Sequence, residues 1–189
     1  MARIKGAAIR ARLDYLVAHY GPKAQARVLE ALKPEYRASV DNGILVSGWY
    51  PLELSDSLLE AAEHLLGEGD GAICREIGRT SARKGLTSTY SVFAERLTAE
   101  QIADKMERTT SLVWRSYYDE GVFHTRARGE TSVESELTEL ELQAPWLCHI
   151  VGGYIAGHVE VLGGQSVLVE HTSCTLRGRQ QCIWEAHWR

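Results

Sequence analysis

The hydrophobic period of the chain changes after Gly121, and that change limits the folds open to it. Upstream, apolar residues recur every three or four positions, the spacing of amphipathic helices. Downstream, residues 123–128 and 132–137 show the two-residue period and β-branched content of strands. A glycine-studded helix over 145–161 follows, and two further strands, 166–171 and 182–188, close the chain. The order predicts an α+β domain, an N-terminal helical layer packed on a four-stranded antiparallel sheet. No linker or repeat interrupts it, so residues 1–189 read as one domain, with 121–189 carrying the sheet.

In the helical part, Ile4, Ala7, Ala8, Ala11, Leu13, Leu16 and Val17 mark a first helix ending at Gly21-Pro22. A second starts at Pro22 and is stopped by Pro34, and a turn-rich stretch over 40–50 holds a brief β-like run. Pro51 suits the first turn of a helix reaching Leu66. After the Gly67–Gly71 break, Asp70 can cap a long helix through Ile73, Ile77, Ala82, Leu86, Tyr90 and Phe93. Thr98 and Gln101 form a capping box for the next, whose inner face includes Ile102, Met106, Leu112, Val113, Trp114 and Tyr117.

Apolar residues at 44% and charged residues at 24% exclude a disordered chain. The formal charge of −4 excludes attraction to nucleic acid or anionic lipid by bulk electrostatics. No apolar run is long enough to span a membrane, and no secretory leader is visible, so a cytoplasmic, reducing setting is expected. There, clustered cysteines signal metal or reactivity more than disulfides.

Cys174 and Cys182 flank Gly178 in a C-x3-G-x3-C hairpin, whose glycine permits a tight turn that brings the thiols together. Cys148, on the preceding helix, offers a third thiol, and His171 or Glu170 a fourth donor. Strict alternation along the strand would place Glu170, not His171, on the side of Cys174. Three thiols and one such donor suit a tetrahedral Zn²⁺ site, while buried cysteines without metal are the plainer alternative.

The stretch with Cys174, Gly178, Cys182 and Trp184 resembles the 4-vinyl-reductase-type small-molecule-binding domain. The resemblance implies a structural zinc held by Cys148, Cys174, Cys182 and either His171 or Glu170. Lys5-Gly6, residues 48–52, residues 75–79 and Arg177-Gly178 look like an uncharacterised paralogous family expanded in myxobacteria. That family is similar to domains sharing the fold of transport-protein-particle (TRAPP) subunits, which implies a homodimer. It also offers Cys74 as an acyl-bearing position, although the residue reads more simply as a buried thiol.

Aromatic side chains supply material for an apolar pocket, with Tyr117, Tyr118 and Trp146 expected where helices meet sheet. No phosphate-binding, nucleophile-elbow or zinc-protease motif is present. His149 and His158 share a helix, but nine residues amount to about two and a half turns and point them to opposite sides, against a shared haem. The sequence therefore reads as a non-enzymatic signalling sensor or adaptor for a hydrophobic small molecule, as a homodimer or with a protein partner. An interaction scaffold without ligand and a cofactor-dependent reductase-like enzyme are the alternatives.

Overall fold

The computed structural model describes residues 2–90, 97–140 and 144–189. A short strand, β1 (Arg3–Lys5), leads into α1 (Gly6–Tyr20), α2 (Pro22–Glu30) and α3 (Pro34–Asp41). Strand β2 (Trp49–Pro51) precedes α4 (Leu52–Leu66), α5 (Ala72–Tyr90) and α6 (Ala99–Tyr117). Strands β3 (Val122–Gly129) and β4 (Ser132–Thr138), helix α7 (Pro145–Val161), and strands β5 (Leu168–Ser173) and β6 (Cys182–His187) complete the order. The four C-terminal strands form one antiparallel sheet in the order β3-β4-β6-β5, so the expected α+β architecture is present.

The two-residue period sorts the sheet's faces. Phe123, Val133, Leu137, Cys182, Trp184 and Ala186 point inward and are buried, while His124, Arg126, Glu170 and Glu185 alternate outward. Helix α6 lies along β3, and α7 crosses β5 and β6. The Thr98–Gln101 capping box opens α6 as expected. Its buried face, however, is Ile102, Ala103, Met106, Thr110 and Trp114, whereas Leu112 stands 67% exposed.

Helix α7 is buried on almost every side, with its apolar residues meeting both sheet and helices. On the side away from the sheet it meets α5 backbone to backbone. A Cβ on Gly78 would stand 2.8 Å from the Tyr154 nitrogen, and one on Gly157 2.6 Å from the Arg79 carbonyl oxygen. The α5–α7 contact is therefore a close-approach seam built on glycine.

The N-terminal third departs from expectation at three places. Ile4, expected in the first helix, lies in the strand that precedes it. Pro34 opens α3 instead of stopping a helix, because proline at the first helical position loses no hydrogen bond. The β-like run in the turn-rich stretch falls at Trp49–Pro51, where it pairs with β1 through Ile4↔Tyr50, a partner 46 residues away. Phe93 and the Tyr90 side chain lie outside the described residues.

Asp56, on α4, accepts the Trp146 backbone N–H at 3.0 Å and so caps α7. Burial pushes its carboxyl up to about 7, against the opposing effect of that bond and of the Arg12 charge. A carboxyl raised in the fold holds a proton that the unfolded chain has lost, so stability falls as pH rises from about 4 to about 7 and then levels off. Thermal melts across that range are expected to show the decline in the native protein and a shallower one in Asp56→Asn. Parallel curves would refute the assignment.

Candidate functional site

A β-bulge decides the chemistry at the C-terminal end of β5. His171 pairs with Trp184, but Ser173 pairs with Ile183, so Thr172 is an extra residue in the ladder. The extra residue reverses the alternation and brings His171 and Cys174 to the inner face together. Glu170 remains outside, opposite Glu185 and exposed. Of the two candidate fourth donors, His171 shares the face of Cys174 and Glu170 does not.

Beyond the bulge, residues Thr175–Arg177 make one 3₁₀ turn, and Gly178 reverses the chain at φ 76°. The Cys174 carbonyl accepts from Arg177 and Arg179, closing the loop. Cys182 then enters β6 opposite Leu137, and Cys148 arrives from the first turn of α7. The donor atoms of Cys148, His171, Cys174 and Cys182 all lie within 4.8 Å of one another. The Cys174 and Cys182 sulfurs are 3.9 Å apart, and the Thr175 hydroxyl is 3.6 Å from the Cys182 sulfur.

The quartet's thiols act on one another. A hydrogen bond from Cys148 brings the Cys182 thiol down to about 3; burial opposes this, and contacts from His171 and Thr175 reinforce it. The Cys148 thiol is pushed up as the partner that keeps its proton, and burial raises Cys174. His171 lies flat on Trp184, with ring centroids 4.6 Å apart and planes 7° apart. Cys74 belongs elsewhere: it is fully buried at the start of α5, and its thiol is raised by burial and by Glu63.

Beside the quartet a cleft of about 640 Å³ opens between α5, α7 and β5. Val167, Val169, Leu176 and Trp184 give it apolar walls, and Arg75, Arg79 and Arg177 a basic rim. The aromatics chosen from sequence do not line it. Tyr118 stacks on Trp114 at 4.0 Å and takes a hydrogen bond from the buried Arg12, Tyr117 is exposed, and Trp146 sits between His64 and His149. The cleft was missed because its walls come from three distant segments, although Arg75 and Arg79, one turn apart beside the small-residue seam, carried a partial signal.

No family model matches the chain, and no curated protein does. Its fold is similar to that of an H-NOX protein from S. oneidensis in an Fe(II)NO ligation state, at 16% identity over 98% of this chain and 99% of that one (TM-score 0.68). It is equally similar to Fe(II) unliganded H-NOX from K. algicida, at 10% identity over 98% and 96% (TM-score 0.67). A structure that probes heme distortion in the H-NOX family matches at 15% identity over 98% and 95% (TM-score 0.67). These likenesses establish the fold, and they overturn the resemblance to the 4-vinyl-reductase and TRAPP domains: the helices and sheet are arranged as in H-NOX proteins. They also overturn the zinc expected from it, since these structures are described by Fe(II) ligation and heme.

Proposed function

We propose that this chain is a non-enzymatic small-molecule-binding domain in which Cys148, His171, Cys174 and Cys182 hold one divalent transition-metal ion. The convergence of four donor atoms within 4.8 Å carries the reading. Three sulfurs and one imidazole favour thiophilic ions in tetrahedral geometry. Four protein donors leave no open position, so the ion joins the first turn of α7 to the β5–β6 hairpin and stabilises the fold. Ligand occupancy of the adjoining cleft is the signal, passed by a shift in population to a second copy or a partner protein. The edge strand β5, with Leu168 58% exposed, offers the surface for that contact. No described helix is long and apolar enough to cross a membrane, in keeping with a cytoplasmic protein.

The haem of the similar solved structures does not fit the residues present. An axial imidazole must stand alone at the wall of a slot. The fully buried His158 shares a hydrogen bond of 3.3 Å with Thr110 and lines none of the described cavities. In the cleft, the His149 Nδ1 faces the Arg75 guanidinium at 3.3 Å and its ring packs on Gly71, while His171 is committed to the thiols. Where α5 and α7 meet, their backbones leave no gap.

Titrating the reduced, metal-free protein with Co(II) tests the reading. One equivalent is expected, with tetrahedral d–d bands and sulfur-to-cobalt charge transfer that weaken in Cys174→Ser and Cys182→Ser. Haemin added to the same protein is expected to keep the spectrum of free haemin. An octahedral cobalt spectrum, absent uptake, or a stoichiometric Soret shift would overturn the proposal.

A further inference from the structure

Trp184 is 1% exposed and its indole Nε1–H, a donor without acceptor capacity, has no hydrogen-bond partner among the described residues. A buried donor left unpaired costs about 1–3 kcal/mol, so its acceptor is the thing to look for. Trp184 lines the cleft, and the residue facing it is Gly152. A Cβ there would sit 3.6 Å from Nε1, so the glycine leaves that edge of the indole uncovered on the helix side. Across the cleft, Val167, Val169 and Leu176 present an apolar surface.

The rim carries three arginines against one carboxylate, Glu76. Arg75 is braced from behind by Asp70, at 2.9 Å to its carbonyl and 3.3 Å to its carboxylate. Arg79 is braced by Glu76 at 3.0 Å and Glu160 at 3.5 Å. Arg177, on the 3₁₀ turn opposite, has no carboxylate within 4.0 Å among the described residues. Guanidinium groups recognise carboxylates through paired N–H donors, and the volume is that of a small-molecule site.

We infer that the cleft binds a small amphipathic carboxylate, its apolar body against Val169, Leu176 and Trp184 and its head among Arg75, Arg79 and Arg177. An oxygen of the ligand accepts from Trp184 Nε1–H. The inference rests on reading the chain as a ligand-binding domain and assigns the ligand's chemical class. No covalent step is involved.

The probe is 4-phenylbutyrate, with 4-phenylbutanol removing the charge and acetate removing the apolar body. Binding is measured by calorimetry and by the indole N–H resonance of Trp184, assigned through its loss in Trp184→Phe. The carboxylate is expected to shift that resonance, and both controls to bind at least tenfold more weakly. Arg177→Gln is expected to weaken binding at least fivefold with an unchanged melting temperature. Equal affinity for the alcohol, an unmoved resonance, or undiminished binding by Arg177→Gln would overturn the inference. Failure of 4-phenylbutyrate to bind a protein that takes up one Co(II) would sink this inference and leave the metal centre standing. Loss of Co(II) uptake alone would do the converse.

Discussion

Replacing Gly153 by valine is expected to destabilise the protein by about 4 kcal/mol, the upper end for a single substitution. A Cβ at this position would overlap the Arg75 carbonyl oxygen and stand 2.8 Å from the Arg75 Cα. Backbone cannot step aside as a side-chain tip can, so α5 and α7 would have to part along their seam. For a chain of this size the melting temperature would drop by about 10 °C. The neighbouring Gly152→Ala makes the control. Its Cβ meets Trp184 Cδ1 at an ordinary 3.5 Å, and alanine gains about 1 kcal/mol of helix propensity over glycine. Adjacent substitutions of opposite sign would show that the seam is one-sided; two similar losses would refute it.

Glu63→Ala is expected to cost about 2–4 kcal/mol, because it removes the acceptors at the start of α5. The Glu63 carboxylate is fully buried, yet it accepts the Cys74 N–H at 2.8 Å and the Gly71 N–H at 3.3 Å. A negative group at a helix N-terminus also meets the positive end of the helix dipole. Removing it strands two donors where water cannot reach them. Glu63→Gln keeps one oxygen acceptor and is expected to lose about half as much in urea denaturation. If alanine and glutamine lose equally, charge alone stabilises the site; if neither loses, the cap is not used.

Both results turn on residues whose partners are far along the chain, and the same division separates what was legible in the sequence from what was not. The capping box of α6, the Asp70 cap of α5 and the alternation of β3 and β4 are local signals, read within a few residues, and they stand in the structure. The β1–β2 ladder is specified by a partner 46 residues away, and no local period announces it. Pro34 is ambiguous because the same ring that ends one helix is welcome at the start of another. Three of the quartet's donors were legible from cysteine spacing. The choice of His171 over Glu170 needed the bulge, which strict alternation cannot show. The resemblance built on the hairpin failed because four residues near one turn are shared by unrelated arrangements of helices, whereas the full path of the chain matches H-NOX proteins.

The bulge at Thr172 also bears on how such a site can arise or vanish in a lineage. Deleting Thr172 alone would restore regular pairing with His171 and Cys174 two positions apart and on one face; deleting Ser173 as well would make them neighbours on opposite faces, while every donor residue stayed encoded. A sequence comparison that scores only donor identity would then count the quartet as intact in a protein unable to assemble it. Gain and loss of this centre are governed by the spacing between His171 and Cys174, so insertions and deletions, more than substitutions, are the mutations to follow.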